Sequence, residues 1–420
     1  MKKSLSVFLV LVLAMFTCGS IAAQASEQVT LEFWSFHSTT EAEALQRYCA
    51  KYTAEVNPNV KINYTQIPWD DYIGTKLTTA FAAGEGPDIF FTCPPQLARY
   101  VEAGVTLPLD DYLTPEERAD FRPAALAATT LDGKLCAYPI EAELLALFYD
   151  IDAFKEAGLN PPSTWDEMIA DAKALTTDKR AGLTMRIADD STVVFHYLPF
   201  LTMGGGDVFT EDFKGSGLGS QANIDALQLY HDLMTAGAIN VKPSRSADDI
   251  GILAEGETAM QINGTWSLVK LEQQYSDKHI GVVPLPVKDA SMKSASAAGG
   301  WQMAVNARSP RADEAAKFIT WLCAQDKECL TDWCTVVKFA YPTRNSIVEA
   351  NKDFFQKGLR AVFTNQILGT EKPELRAPAD VYKILQDMIQ DAMYSSDGKT
   401  AAEKGDQKLK DFFADYDGII

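Results

Sequence analysis

The run from Leu135 to Tyr149, Leu-Cys-Ala-Tyr-Pro-Ile-Glu-Ala-Glu-Leu-Leu-Ala-Leu-Phe-Tyr, constrains the fold more than any other stretch of this chain. It is extended in character, broken once by Pro139, and apolar except for two acids at its centre. Side chains two residues apart on a strand share a face, so Glu141 and Glu143 point the same way. A long strand with a polar centre can cross from one domain to another. Length agrees, because 420 residues exceed what one ordinary core organises.

The flanking sequence alternates strand and helix. Val29 to Phe33 and Val60 to Gln66 carry β-branched and aromatic residues and read as strands. Between them, Thr39-Thr40-Glu41 opens a helix to about Val56, with Glu41 and Glu43 in its first turn. Asp70 to Ala83 reads as a helix stopped by Gly84, Asp88 to Phe91 as a short strand buried on both faces, and Leu97 to Ala103 as a helix ending at Gly104. Ile151 to Gly158 is helical, and Ser163 or Thr164 caps the next helix. This pattern predicts an α/β architecture with ligand sites at strand C-termini.

The N-terminus has the form of an export leader. Lys2 and Lys3 precede an apolar stretch from Val7 to Phe16, and Ala23-Gln24-Ala25 offers a small-x-small cleavage site, so cleavage is expected after Ala25. Lipidation at Cys18 is disfavoured by Thr17 in front of it. The formal charge of −19 excludes a nucleic-acid partner and an anionic membrane surface, and a monomer is expected. Six cysteines remain after the leader: Cys49, Cys93, Cys136, Cys323, Cys329 and Cys334. The last three are close enough in sequence to suggest a bridge, and free buried thiols are the alternative.

A second informative stretch is Ala259-Met260-Gln261-Ile262-Asn263-Gly264-Thr265-Trp266-Ser267. Its strand-like run stops at Asn-Gly, residues that tolerate the left-handed backbone of a tight turn. Trp266 would then stand at a strand end, where an indole can stack on a ligand face, unless it is simply core.

Eight segments occur in a telling order: Phe-Trp-Ser-Phe-His (33–37), Lys-Leu-Thr-Thr-Ala-Phe-Ala-Ala-Gly-Glu-Gly-Pro-Asp-Ile (76–89), Asp-Gly-Lys-Leu-Cys-Ala-Tyr-Pro (132–139), Leu-Phe-Tyr-Asp-Ile-Asp-Ala-Phe-Lys-Glu-Ala-Gly-Leu (147–159), Pro-Pro-Ser-Thr-Trp-Asp-Glu (161–167), Ala-Met-Gln-Ile-Asn-Gly-Thr-Trp (259–266), Ala-Gly-Gly-Trp (298–301) and Tyr-Pro-Thr-Arg (341–344). With them the chain resembles the bacterial extracellular solute-binding proteins of family 1, which serve sugar-importing ABC transporters. Tyr138-Pro139-Ile140 and the stretch 262–266 are most similar to its maltose-binding members.

The resemblance implies a two-lobe periplasmic-binding-protein (Venus flytrap) fold with ligand held between discontinuous lobes. Lobe 1 would hold 26–140 and 291–342, and lobe 2 would hold 144–288 and 346–420, with hinge crossings near 141–143, 288–290 and 343–345. It implies periplasmic localisation, a carbohydrate ligand and the transporter's transmembrane subunits as partners. Glu143 matches an acid that bonds sugar hydroxyls, and Trp266 an aromatic that stacks on the sugar. Thr92 and Pro95-Gln96 depart from the maltose-binding pattern, so the ligand is expected to differ from maltose.

A sugar needs carboxylates and amides for its hydroxyls and aromatic planes for its C–H faces. The ligand-binding candidates are therefore Trp34, His37, Trp69, Asp70, Asp88, Gln96, Glu141, Glu143, His196, Trp266, Gly300, Trp301 and Arg344. Several have plainer uses. Trp34 can be core, Trp69 can cover a helix end, Asp70 can be an N-cap, Asp88 can bond turn amides, and Arg344 can pair with a surface acid. Phe195, His196 and Tyr197 could line a second wall of the cleft. Trp165 is assigned to the core.

A secreted glycoside hydrolase is the enzymatic alternative, because Glu141 and Glu143 lie about 7 Å apart along a strand, in the range of inverting enzymes. No GxSxG, HExxH or GxxxxGK[ST] motif is present, and the four histidines have no metal-ligand spacing. No catalytic residues, cofactor or metal are expected.

Overall fold

The computed structural model describes residues 28–416, apart from Ser38 and Phe339 and the side chains of Asp70 and Ser191. The leader, its cleavage point and Cys18 lie outside the described residues. In chain order the strands of the two large sheets are β1 (Val29–Ser35), β2 (Val60–Gln66), β3 (Ile89–Thr92), β4 (Tyr138–Pro139), β5 (Glu141–Asp150), β6 (Ala181–Thr184), β7 (Thr258–Gly264), β8 (Ile280–Val283), β9 (Ala297–Gly299), β10 (Gln302–Val305), β11 (Tyr341–Pro342) and β12 (Lys372–Pro373).

The first sheet has the order β2-β1-β3-β10-β4. β1 is parallel to β2 and β3, and β10 is antiparallel to β3 and β4. Every residue of β3 is buried, which is why it reads as an unbroken apolar run. Helix α1 (Thr39–Glu55) buries Leu45, Tyr48, Cys49 and Tyr52, spaced three and four apart, so one face meets the core. That core runs from Leu31 to Ile140 and takes in the returning residues Met303 to Val305, Phe318, Trp333 and Ile347.

The helix expected from Asp70 to Ala83 is interrupted. A turn at Trp69–Asp71 and a wide turn at Tyr72–Lys76 precede Leu77–Ala83, with Gly74 at ψ −117°. Gly74 lacks the Cβ that would disfavour this bend, so propensity over the window is overridden at one residue. Helix α2 (Pro94–Glu102) follows β3.

The second sheet has the order β12-β9-β5-β7-β6, with β8 and β11 also paired to β5. β5 is its spine. Glu141 and Ala142 pair with β11, Glu143 and Leu144 with β9, and Leu145 to Tyr149 with β7. Side chains alternate along it. Leu145 and Leu147 enter a second core with Met260, Ile262 and helix α3 (Ser191–Met203). Leu144, Ala146 and Phe148 enter a third cluster with Leu253, Leu268 and Phe363. Trp165 is core, as expected, and donates its indole N–H to the Pro286 carbonyl at 2.9 Å.

The six described cysteines are unbridged. Cys323, Cys329 and Cys334 are buried on successive helical segments, and Cys323 Sγ lies 3.7 Å from Met303 Sδ. They serve as small apolar core groups, which corrects the expectation of a bridge among them.

Candidate functional site

The two acids of β5 converge on one cation. Lys338 Nζ lies 2.6 Å from Glu141 Oε1 and 2.7 Å from Glu143 Oε1. Trp333 donates its indole N–H to the other Glu141 oxygen at 2.7 Å. Burial pushes Glu141 up to about 7 in spite of Lys338, and the charge of Glu143 adds to this rise. Lys338 is held above the ordinary lysine range, because Glu141, Glu143 and Glu41 outweigh its desolvation. Glu41, in the first turn of α1, is itself raised by burial.

An aromatic group stands beside this cluster. Phe36 lies 4.8 Å from Trp69 and 4.2 Å from Trp301, centroid to centroid, and Trp69 lies 5.6 Å from Trp301. Trp69 is 46% exposed, so a large ring is left open to a ligand. His37 is buried against the group, 6.5 Å from Trp301 and 5.2 Å from Trp333. Its Nδ1 meets Ser35 Oγ at 2.7 Å, while Nε2 has no partner among the described residues. Burial, then the charge of Lys338, holds its pKa well below the usual histidine value, so the ring is neutral.

The second core contributes a further tryptophan. Thr265 follows β7, and its amide donates to the Leu144 carbonyl, one residue from Glu143. Trp266 comes next, half-buried, and opens helix α4 (Ser267–Gln274). Asn263-Gly264 does not form the expected tight turn. Both residues lie within β7, paired with Ala146 and Leu145, and neither adopts a left-handed backbone. Gly264 is required for space, because a Cβ there would stand 1.9 Å from Cζ3 of Trp266, whose ring folds back over it.

Three strands place a further acid opposite Glu143. Gly299 of β9 pairs with Glu143 of β5, and Ala298 pairs with Pro373 of β12, whose next residue is Glu374. Glu143, Gly299 and Glu374 therefore form one row across the sheet, on one face. A Cβ at Gly299 would meet the ring of Phe195 at 2.9 Å and Glu374 Oε2 at 3.6 Å. Burial and the charge of Glu143 push Glu374 up to about 8. Among the described residues nothing donates to its carboxylate.

The remaining candidates are engaged elsewhere. Asp88 accepts from the Glu32 amide at 2.7 Å, from Ser309 and from Arg311 Nε at 3.2 Å, so it ties β1 to β3 and to the loop after β10. Arg344 is buried and binds Asp120 at 2.7 and 2.8 Å. His196 is buried 3.3 Å from Asp248, whose other oxygen takes Arg186. Gln96 on α2 reaches the Ile73 carbonyl at 3.5 Å. Trp34 is half-buried against the first core with Lys76 above its ring. Gly300 has φ 129° and backs onto the Glu141 carbonyl, which leaves no room for a side chain. Asp70 lies in the turn Trp69–Asp71, and its side chain is outside the described residues.

Sequence reasoning missed Lys338, Trp333 and Glu374. Two acids in an apolar strand demand a counter-charge, which was the available signal for a lysine. The segment Lys-Pro-Glu-Leu-Arg around Glu374 has no periodicity to mark it. Among the described residues no group of three or more His, Cys, Asp or Glu side chains is placed to hold a metal.

Known proteins agree with this architecture. A protein of Brucella abortus (strain 2308) described as a binding protein is 28% identical over 235 residues, 55% of this chain and 56% of that protein, so the match spans little more than half of that relative. The arabinooligosaccharide-binding protein of Bacillus subtilis (strain 168) is 25% identical over 387 residues, 85% of this chain and 86% of that one. The solved structure of an ABC transporter solute-binding protein from Thermotoga lettingae, bound with alpha-D-tagatose, superposes with a TM-score of 0.78 at 23% identity. It covers 92% of this chain and 100% of that one. The fold is thus the α/β two-lobe fold of periplasmic binding proteins, as the sequence suggested. Residues 37–326 match the pattern described as bacterial extracellular solute-binding protein, and the chain belongs to that family.

Proposed function

We propose that this protein is the substrate-binding component of an ABC importer and takes a sugar or sugar derivative between its two lobes. One observation carries the reading. Exposed Trp69 and half-buried Trp301 stand beside the first core, half-buried Trp266 packs on the second, and the acids Glu141 and Glu143 lie on the strand that leads from one core to the other. Aromatic planes suit the C–H faces of a pyranose, and carboxylates accept its hydroxyls. The similar proteins named for arabinooligosaccharide or bound with tagatose support a carbohydrate.

The lobes would be 26–140 with 291–342, and 144–288 with 346–420, joined by the crossings near 141–143, 288–290 and 343–345. Ligand touching both lobes favours the closed state through its differential affinity, and the closed form docks on the transmembrane subunits. The leader before Ser26 would export the chain. His37, Trp69, Glu141, Glu143, Trp266 and Trp301 are retained as site residues, joined by Lys338 and Glu374. Asp88 and Arg344 are assigned to structure.

The glycosidase alternative loses its argument. Glu141 and Glu143 both hold one ammonium, so no sugar ring and water fit between them as inversion requires. Incubation of the purified protein with a glycan panel tests the proposal. A bound sugar at about 100 times its Kd raises stability by about 2.7 kcal/mol and is recovered intact. Cleavage of any glycan would overturn it.

A further inference from the structure

Behind the acids of β5, an ion pair ties elements of the two proposed lobes together. Arg122 directly precedes the helix Pro123–Thr129, whose Leu126 packs on the first core. Glu371 directly precedes β12, an edge strand of the second sheet. Arg122 Nη2 lies 2.5 Å from Glu371 Oε1, and Glu371 Oε2 accepts the Gly369 amide, which fixes the carboxylate in place. The Glu371 side chain is 4% exposed and that of Arg122 17%, so solvent ions screen this pair less than they would a surface pair. The Arg122 amide also donates to the Thr343 carbonyl at 2.7 Å, which sets the pair beside one of the proposed crossings.

The side of the sheet on which the pair lies follows from the alternation of side chains. Arg122 and Glu371 wall a small cavity together with Ala142, Ala298 and Pro373. Ala142 precedes Glu143 on β5, Ala298 precedes Gly299 on β9, and Pro373 precedes Glu374. Successive residues of a strand point to opposite faces, so the cavity and the ion pair lie on the reverse of the sheet from Glu143 and Glu374. The cavity holds about 30 Å³, room for one water, so the helix and the sheet edge nearly touch. Alanine and glycine make up most of the remaining wall, and little apolar area interlocks across it.

We infer that the Arg122–Glu371 pair is a strut that opposes closure of the lobes and so sets how tightly the protein holds its ligand. Closure rotates one lobe on the other about the crossing strands. Rotation that brings the lobes together on the acid face separates them on the reverse face, so Arg122 and Glu371 part as the cleft closes. Their attraction is present in the open state and lost in the closed one. The structure, with the pair made, is on this account the open state. A ligand that needs the closed state binds with an affinity reduced by the fraction of protein that is closed. Weakening the pair raises that fraction without touching the cleft. This holds for any ligand bound on the acid face, and so rests on that reading of the cleft but not on the identity of the sugar.

The experiment is small-angle X-ray scattering of the ligand-free protein at low salt, which needs no sugar. Glu371→Lys sets two like charges behind the hinge and should shift the radius of gyration to a smaller value, as the lobes close. The difference should shrink in 1 M salt, where charges are screened within about 3 Å. The double variant Arg122→Glu with Glu371→Arg restores the pair and should return the wild-type radius. Circular dichroism checks that each variant is folded. If Glu371→Lys does not fold, Glu371→Gln serves, since it keeps an acceptor for Gly369 and removes the charge. With any sugar that the wild type binds, Glu371→Gln should also lower Kd by about threefold to tenfold, the scale of one partly buried ion pair. An unchanged radius in the charge variants overturns the strut and leaves the cleft where it is. A larger radius shows that the pair holds the lobes shut, which overturns the strut and moves the closing cleft to the reverse face as well.

Discussion

The indole N–H of Trp333 donates to the buried carboxylate of Glu141 over 2.7 Å, joining the first core to the start of the strand that enters the second. Lys338 completes this junction from the residues just after Trp333. Lys338→Met should therefore destabilise the fold by about 3–5 kcal/mol, the cost of leaving a buried charge without its partner. Glu141 can escape the penalty by taking up a proton, so the loss should be largest near pH 8 and smallest near pH 5. Urea unfolding at the two pH values measures it, and equal losses would show that the pair contributes nothing through charge.

Gly264→Ala tests the contact between that residue and Trp266. The added methyl would overlap the indole, which must swing away or strain β7. Overpacking of this kind costs about 1–3 kcal/mol. Because the ring moves, ligand affinity should fall along with stability. A variant that binds as well as wild type would place the stacking face elsewhere.

Stability of the ligand-free protein should depend on pH through Glu374. Its native pKa of about 8 lies above the ordinary glutamate value of 4.5. Between those limits the native state holds a proton that the unfolded state has lost, so stability falls as pH rises through the window. Glu141 acts in the same sense up to about 7. His37 acts oppositely at lower pH, because its native ring stays neutral while the unfolded one gains a proton below the ordinary histidine value of 6.5. Glu374→Gln should flatten the decline between about pH 6 and 8, followed by thermal melting. Superimposable profiles would remove Glu374 from this account.

The sequence made the architecture readable because β1 alternates with period two, α1 repeats with the helical period, and β5 is a long apolar run buried on both faces. Glu141 and Glu143 were visible because charge in an apolar strand is anomalous. Lys338 and Glu374 were not, since each reaches the site through contacts across more than 190 residues. The helix reading ran through Gly74, where the glycine does bend the backbone, and Gly264 was misread for the opposite reason. Glycine was taken as a sign of backbone conformation, whereas at Gly264 it answers to a neighbouring side chain.

Asp88 and Trp266 offer a paired test of structure against binding. The Asp88 carboxylate is consumed by the Glu32 amide, Ser309 and Arg311, all on or next to the first sheet. Asp88→Asn weakens these charge-assisted bonds and should cost about 1–3 kcal/mol of stability without changing sugar affinity. Trp266→Ala removes an aromatic face and should weaken binding by about 1–3 kcal/mol. Calorimetry with whichever sugar binds and denaturant unfolding of both variants separate the effects. If Asp88→Asn loses affinity at full stability, its carboxylate reaches the ligand after all. If Trp266→Ala loses stability alone, its indole belongs to the core.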